Sequence, residues 1–206
     1  MSLRPFVFAA AFVLSTLGLR AGLAPTAAEA KPLSVGDKAP AALVQSVEGD
    51  TLDLSAALAG RPTLLVFYRG SWCPYCNKHL AALATLEPGL LALGYQIIAV
   101  SPDEAKGLRA MTEKNHLNYR LLSDHAMNAA SAFGVAFRVD AKTRKAYDGY
   151  GIALTPVPGE PDACWLPVPS VFIIGRDGIV KFVHSDPDYK VRLSAEAVMA
   201  AAQSAR

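Results

Sequence analysis

The strongest constraint on the fold is a stretch in which an apolar strand pattern changes into a helical pattern at a pair of cysteines. Residues 63–68 form an uncharged, mostly apolar run, which is typical of a strand buried on both faces of a sheet. From Asn77 onward, leucines and alanines recur every three or four positions, which predicts a helix with one face on a core. We therefore expect Cys73 and Cys76 in the first turn of a helix that follows a buried strand.

This placement predicts redox chemistry at the two thiols. The unsatisfied N–H groups and the dipole of a helix N-terminus favour negative charge, and in a Cys-x-x-Cys motif they lower a thiol pKa from about 8.5 to about 3.5–7.5. Cys73 and Cys76 are separated by three positions, which places them on one side of a helical turn. A small disulfide can close between them after either sulfur has been attacked.

Two other interpretations of the pair are less favoured. A zinc site normally needs four ligands, and the sequence has no second Cys-x-x-Cys and no His-x-x-x-His pair among its 4 histidines. A purely structural disulfide would close so short a loop that it would remove little chain entropy. We therefore expect no metal and no cofactor at this site.

The composition suits an ordinary globular domain and excludes a nucleic-acid binder. Hydrophobic residues make up 52% of the chain and the formal net charge is only +2. Basic residues are scattered singly, with no Arg/Lys-rich stripe that could follow a phosphate backbone.

The first thirty residues have the pattern of a cleavable export signal. Arg4 precedes an apolar run at 6–19, and Ala28-Glu29-Ala30 has the small-x-small pattern of a signal-peptidase site. The run is shorter than the roughly 20 residues that span a bilayer, and Arg20 follows it. We therefore interpret residues 1–30 as a signal peptide, Lys31 as the first mature residue, and the bacterial periplasm, or another exported location, as the destination. No stable membrane insertion is expected after the signal is removed.

Residues 31–206 are predicted to form one α/β domain. Strand and helix patterns alternate, which favours a mixed, mostly parallel central sheet with helices on both faces. A hairpin is expected around Glu48-Gly49-Asp50, and a second one at residues 171–184. Residues 140–166 are polar and then rich in Gly and Pro, and we interpret them as a long surface loop.

Several motifs, in the same order along the chain, resemble the thioredoxin superfamily and, within it, the redoxin group with peroxiredoxins of the AhpC/TSA type. The resemblance covers nearly all of residues 31–206. Its motifs are Val35-Gly36-Asp37-Lys38-Ala39-Pro40, the stretch from Phe67-Tyr68 to Cys76, Ile98-Ala99-Val100-Ser101-Pro102-Asp103, Leu122-Ser123-Asp124, Phe133-Gly134-Val135, and Pro169 before Phe172-Ile173-Ile174 with Asp177-Gly178. The resemblance implies a thioredoxin-like fold.

The resemblance offers two assignments of the attacking sulfur. Trp72-Cys73-Pro74-Tyr75-Cys76 is similar to the thioredoxin Trp-Cys-x-x-Cys site, which would make an exposed Cys73 the nucleophile and Cys76 the resolving thiol. The peroxiredoxin pattern Pro-x-x-x-Thr-x-x-Cys instead places the peroxidatic sulfur at Cys76. That register puts Arg69 at the proline position and Cys73 at the threonine position, and the segment before Phe172 lacks the arginine that the family has there. We expect Cys73 to attack.

Three further residues are predicted to assist the pair. The resemblance implies that Pro169 is cis and faces the cysteines, with a backbone edge that binds substrate. Trp72 is expected to pack on the sulfurs as a lid, and Arg69 to add positive potential beside a thiolate.

Three other residues stand outside this group. Cys164 is the odd thiol, either a partner sulfur or a small apolar residue buried beside Trp165, and we expect it to be dispensable. Tyr189 and Arg192 match an Asp-Tyr-x-x-Arg element of related redoxins, without an assigned role.

The predicted function is that of an exported thiol-dependent oxidoreductase, peroxiredoxin-like, that cycles Cys73 and Cys76 between dithiol and disulfide. Its substrate is a hydroperoxide or a protein disulfide, and its electron donor is a thioredoxin-like protein or another thiol. The alternative is a periplasmic copper carrier on the same fold, in which Cys73, Cys76 and His184 would hold Cu(I).

Overall fold

The structure is a computed structural model that describes residues 23–115 and 117–205. The chain forms a seven-stranded sheet and a three-stranded sheet, with helices packed against the larger one. The strands are β1 Leu43–Gln45, β2 Thr51–Asp53, β3 Thr63–Phe67, β4 Gln96–Ser101, β5 Arg120–Ser123, β6 Ala136–Val139, β7 Pro156–Val157, β8 Glu160–Pro167, β9 Ser170–Ile174 and β10 Val180–Ser185. The helices are α1 Leu54–Leu58, α2 Pro74–Ala92, α3 Ala105–Asn115, α4 Asn128–Ala132, α5 Ala141–Gly149 and α6 Ala195–Ser204.

The central sheet is mixed, with strand order β10-β9-β3-β4-β5-β1-β2. Strands β3, β4 and β5 are parallel neighbours, whereas the pairs β10–β9, β9–β3, β5–β1 and β1–β2 are antiparallel. The mixed sheet was predicted correctly, but its description as mostly parallel was wrong. Both predicted hairpins form, and a hairpin always adds an antiparallel pair.

Strand β3 lies at the centre of the sheet and is buried along its whole length, as predicted. Its side chains alternate between the two faces. Leu65 and Phe67 belong to the hydrophobic cluster that includes α1 and α4 residues, and Leu64 and Val66 to the cluster that includes α2, α3 and α6 residues. Helices therefore cover both faces of the sheet. The chain leaves the C-terminal end of β3 and continues to the start of α2, which packs on one of these faces.

The prediction that residues 140–166 form a surface loop was wrong. This segment contains α5, β7 and the first seven residues of β8, and β8 pairs antiparallel with β6. Only the C-terminal half of β8 is buried, since its burial changes from exposed to buried near Ala163. Half of this strand is exposed, and Pro and Gly residues are frequent next to it. Its sequence therefore shows neither a continuous apolar run nor a clear alternation of apolar and polar residues.

Helix α4 is also shorter than the predicted helix at 124–133. Asp124 does not open the helix; its carboxylate accepts hydrogen bonds from the N–H groups of Ala129 and Ala130. The remaining predicted elements, including the end of α2 before a left-handed Gly94, are confirmed within a few residues.

A segment ahead of the predicted domain boundary packs against the domain. Ala24 forms a parallel bridge to Phe137, with hydrogen bonds from Ala24 N to Ala136 O at 3.1 Å and from Arg138 N to Ala24 O at 2.8 Å. Leu23, Ala27 and Ala30 contact the hydrophobic cluster that includes Leu65 and Phe67. The predicted apolar run at 6–19 lies outside the described residues.

Among the helices in the described part of the chain, none has the length and apolar character needed to cross a membrane.

Candidate active site

The two cysteines lie where the sequence predicted them, between β3 and α2. Cys73 is the N-cap of α2, and Pro74 occupies the first helical turn, where a missing N–H costs nothing. The sulfurs are free thiols 2.7 Å apart, with the Cys76 thiol donating to Cys73 Sγ. The backbone N–H of Cys76 also donates to Cys73 Sγ, at 3.4 Å. Cys73 therefore receives two hydrogen bonds that stabilise a thiolate.

These contacts separate the acidities of the two thiols. The hydrogen bonds from Cys76, together with the charges of Arg69 and Arg192, lower the pKa of Cys73 to about 6 despite its burial. The pKa of Cys76 is raised above its ordinary value, first because it donates to Cys73 and second because it is buried. At neutral pH the pair therefore carries one negative charge, located on Cys73.

The prediction of an exposed Cys73 was wrong. Both Cys73 and Cys76 are 1% exposed and belong to the hydrophobic cluster beneath α2. The loop before Cys73 folds inward because two residues hold it. Ser71 N donates to Asp103 Oδ2 at 2.7 Å, and Asn77 Nδ2 donates to Ser71 O at 2.8 Å. Access to either sulfur therefore requires a movement of the surrounding side chains.

Asp103 and Gly70 shape this loop. The Asp103 carboxylate also accepts from Ser101 Oγ at 3.0 Å, and burial raises its pKa. Gly70 has a φ of +146°, and a Cβ atom there would lie 2.5 Å from Trp72 Nε1. Glycine is thus needed for Trp72 to take its position next to Cys73.

Arg69 is buried in a cage of aromatic rings. Its guanidinium carbon lies 4.0 Å from the ring centroid of Tyr189, 5.1 Å from that of Trp72 and 5.5 Å from that of Tyr147, and Nη2 donates to the Tyr147 hydroxyl. No carboxylate in the described part of the chain forms an ion pair with Arg69. The cage holds a cation near Cys73, and the arginine is only 5% exposed.

Trp72 separates the sulfurs from a cavity. It packs against the cluster that contains both cysteines and against a smaller cluster with Leu154, Cys164 and Leu166. A cavity of about 410 Å³ is lined by Trp72, Arg69 and Leu154 but by neither cysteine. This position fits the predicted lid. A larger cavity, of about 760 Å³, lies at the opposite end of β3 and is lined there by Pro62 and Tyr95.

Arg192 and Tyr189 also belong to the site, although the sequence assigned them no role. Arg192 Nη2 donates to Cys76 Sγ at 3.6 Å. The Tyr189 ring lies between Arg69 and the ring of Tyr75, with a centroid distance of 5.7 Å to the latter. The Asp-Tyr-x-x-Arg element was the available signal, and it lies in the segment between β10 and α6.

The prediction of a cis Pro169 was wrong, because every peptide bond among the described residues is trans. Pro169 is buried in the two-residue connection between β8 and β9, and Ser170, which follows it, pairs with Phe67 near the cysteines. The connection runs directly from one strand to the next. A trans bond is intrinsically preferred before proline by about 0.5–1 kcal/mol, and the extended chain requires no cis turn.

Cys164 lies on β8, in the smaller sheet. It is 2% exposed, its Sγ donates to Leu154 O at 3.7 Å, and burial raises its pKa. These features match a small buried apolar residue more closely than a reactive thiol.

The copper ligand set is not assembled. In the described ranges, no group of three or more His, Cys, Asp or Glu side chains is arranged to hold a metal ion. His184 instead lies near His79, whose pKa is lowered to about 4 by burial first and then by the charges of Arg192 and His184.

Comparison with known proteins gives one family. The model of the AhpC/TSA family matches residues 35–183. A bcp-type peroxiredoxin of Haemophilus influenzae is 36% identical over 104 residues, which is 50% of this chain and 66% of that protein. Peroxiredoxin Bcp of Escherichia coli K12 is 30% identical over 118 residues, which is 57% of this chain and 74% of that protein.

Solved structures show the same fold. Reduced Prx3 of Vibrio vulnificus in complex with H₂O₂ aligns with a TM-score of 0.66 at 21% identity and covers 82% of this chain and 99% of its own. The peroxidoxin BcpB of Mycobacterium tuberculosis aligns with a TM-score of 0.63 at 21% identity, covering 84% of this chain and 99% of its own. The α/β fold predicted from the sequence is confirmed.

Proposed function

Because the chain belongs to the AhpC/TSA family, we propose that it reduces hydroperoxides, with Cys73 as the attacking sulfur and Cys76 as the resolving sulfur. The observation that carries this assignment is the pair of hydrogen bonds that Cys73 Sγ receives from the thiol and the N–H of Cys76. The relatives are peroxiredoxins, which are thiol-dependent peroxidases, and the predicted enzyme class is therefore confirmed.

The reaction uses the two thiols in sequence. The Cys73 thiolate attacks one peroxide oxygen, the O–O bond breaks, and the other oxygen leaves as an alcohol or water after taking a proton. Cys73 is then a sulfenic acid, and Cys76 attacks its sulfur, forming the disulfide and releasing water. An external thiol restores the dithiol. We propose a thioredoxin-like protein or a small thiol as this donor.

The contact between Arg192 and Cys76 partly supports the opposite assignment, in which Cys76 is the attacking sulfur. Arg192 would also stabilise a thiolate at Cys76, the position that corresponds to the peroxidatic cysteine in the peroxiredoxin register. Arg192 acts on both sulfurs, however, and lowers the pKa of Cys73 as well. The backbone N–H of Arg69 also donates to Cys76, but the Cys76 thiol itself donates to Cys73, and this hydrogen bond is the largest cause of the lowered Cys73 pKa. We therefore retain Cys73 as the nucleophile.

Burial favours a hydroperoxide over a protein disulfide as the substrate. With both sulfurs 1% exposed, a small peroxide needs only a displacement of Trp72 or its neighbours, whereas a protein disulfide needs the whole rim to open. The cavity of about 410 Å³ beside Trp72 can accept the organic part of a hydroperoxide.

Export remains part of the proposal. It is supported by the apolar run at 6–19, the preceding Arg4 and the small residues Ala28 and Ala30. An exported enzyme would work in an oxidising compartment, where its disulfide persists until a dedicated donor reduces it.

Consumption of H₂O₂ and cumene hydroperoxide by the purified protein, with dithiothreitol as donor, tests this function. We expect turnover with both peroxides, and none in Cys73→Ser. Rapid reduction of a protein disulfide such as insulin, without peroxide turnover, would contradict the proposal. Tight stoichiometric Cu(I) binding lost in His184→Ala would instead favour the copper carrier.

A further inference from the structure

Three nitrogen-bearing side chains gather beside Cys76. His79 follows Cys76 by one helical turn on α2, so both project from the same side of the helix. His184 lies on β10 opposite Val171, and Phe182, two residues earlier on the same face, packs on the cluster that contains the cysteines. Arg192 reaches Cys76 Sγ from the segment after β10. The fold therefore places His79, His184 and Arg192 in the layer between α2 and the sheet.

These groups lack an anionic partner. The Nε2 atoms of His79 and His184 are buried and have no hydrogen-bond partner among the described residues. Arg192 donates from Nη1 to Val191 O and from Nη2 to Cys76 Sγ, and within the described ranges no carboxylate pairs with it. A guanidinium has five N–H groups, so further donors remain for a ligand.

The charges around His79 are positive. Burial, and to a smaller extent the charges of Arg192 and His184, lower the pKa of His79 to about 4, and no carboxylate acts in the opposite direction. The imidazole is therefore neutral at pH 7 and, in its Nε2–H tautomer, offers a hydrogen-bond donor. Buried donors without partners are rare in native proteins and indicate water or a ligand.

The charge balance of the whole site gives the same indication. The reduced pair carries one negative charge on Cys73, while Arg69 and Arg192 carry two positive charges without carboxylate partners in the described structure. A buried or half-buried cation is costly unless an anion accompanies it. One further negative charge would balance the site.

We propose that His79, His184 and Arg192 form a subsite for the carboxylate group of a small molecule that reacts with the cysteine pair. Arginine binds carboxylates through two parallel hydrogen bonds, and the two imidazoles add donors at the buried end. The inference rests on the proposed function, because the molecule would be either the thiol that reduces the disulfide or the hydroperoxide that is reduced.

In the first case the carboxylate guides a thiol to the oxidised enzyme. The thiolate attacks one sulfur of the Cys73–Cys76 disulfide, forms a mixed disulfide and releases the other cysteine as a thiolate. A second thiolate then attacks the mixed disulfide, which yields a small-molecule disulfide and the reduced enzyme. In the second case the carboxylate belongs to the hydroperoxide, and the chemistry is that described above.

The experiment compares matched pairs of small molecules on the full protein. One arm measures reduction of the oxidised enzyme by 3-mercaptopropionate and by its neutral amide. The other measures consumption of a fatty-acid hydroperoxide and of its methyl ester. We expect the carboxylate to react about tenfold faster in one of the two arms, because a charge-assisted hydrogen bond is stronger than a neutral one. The advantage should shrink as NaCl is added.

Variants assign the preference to the subsite. In Arg192→Gln and in His79→Phe the ratio of carboxylate to neutral rates should fall toward one, whatever happens to the absolute rates. Arg176→Gln serves as the control, because Arg176 lies in the β9–β10 turn at the other end of β9 and should keep the ratio.

A ratio near one in both arms of the wild-type protein would overturn the inference and leave the buried imidazoles facing water. A preference that survives in Arg192→Gln would also overturn it. Neither result affects the proposed function, which depends on turnover of neutral H₂O₂.

Discussion

The Sγ atom of Cys73 accepts hydrogen bonds from both the thiol and the backbone N–H of Cys76. The relationship is not symmetric, since Cys73 is the N-cap and Cys76 lies in the first turn of α2. A negative charge on Cys73 is therefore met by two donors, and the same charge opposes ionisation of Cys76. This asymmetry assigns different roles to two cysteines that are buried equally.

Serine variants of the two cysteines should separate these roles. Cys73→Ser should lose peroxide turnover, because no thiolate is stabilised at the N-cap. Cys76→Ser should react once with H₂O₂ and accumulate a sulfenic acid at Cys73, which a sulfenate-specific probe and peptide mass spectrometry will detect. A sulfenate at Cys76 in Cys73→Ser, formed at a rate near that of the wild type, would show that Cys76 attacks.

The reactivity of Cys73 should follow a pH profile with a midpoint at about 6. Only the thiolate reacts, so alkylation by iodoacetamide should rise through this range and level off above it. Arg69→Met removes a charge that lowers the pKa, so its midpoint should move upward, toward the ordinary thiol value of about 8.5. Arg176→Met, at the far end of β9, should keep the midpoint of the wild type. A downward shift in Arg69→Met would contradict the role of the cage.

Replacement of Cys164 should have little effect on turnover. Its thiol is buried on β8, has a raised pKa and donates to a backbone carbonyl. We expect Cys164→Ser to keep kcat/KM within about twofold, since its side chain contacts none of the reacting groups. A loss as large as that of Cys76→Ser would make Cys164 a resolving cysteine.

The contacts of Ala24 bear on the processing of an exported chain. A cut after Ala30 would remove two backbone hydrogen bonds to β6. At about 1 kcal/mol each, these amount to about 2 kcal/mol and a decrease in Tm of roughly 4–8 °C. We therefore expect protein that starts at Lys31 to melt below protein that starts at Leu23.

The cut after Ala30, which the small-residue motif predicts, would separate these contacts from the domain. Mass spectrometry of the cell-envelope fraction measures the N-terminus directly. A mature chain that begins at Lys31 would confirm the predicted cut, and a chain intact from Met1 would argue against cleavage.

The parts of the fold that the sequence predicted are those with a continuous apolar pattern. Strands β3 and β4 are buried on both faces, so no polar residue interrupts their runs. Strand β8 was not predicted, because its first residues are exposed and Pro167 lies at its end. The helix start at Asn128 was missed for a different reason: the capping carboxylate of Asp124 acts from several residues upstream.

The site was predicted where chemistry and local position coincide, at Cys73 and Cys76. The burial of the two sulfurs was not predicted, because burial depends on the packing of segments that are distant in the sequence. Tyr147 comes from α5 and Tyr189 from the segment after β10, and only the folded chain brings both onto Arg69. The contact between Arg192 and Cys76 joins residues separated by 116 positions, a pairing that no local pattern specifies.

The position of Trp72 has an optical consequence. The chain contains 2 tryptophans, and Trp165 is fully buried in the core, whereas Trp72 contacts Arg69 and packs beside the cysteines. Loss of the thiolate on oxidation changes the electric field at the Trp72 indole and leaves Trp165 in its apolar surroundings. The emission of Trp72 should therefore report each turnover without a label, and Trp72→Phe should remove the signal.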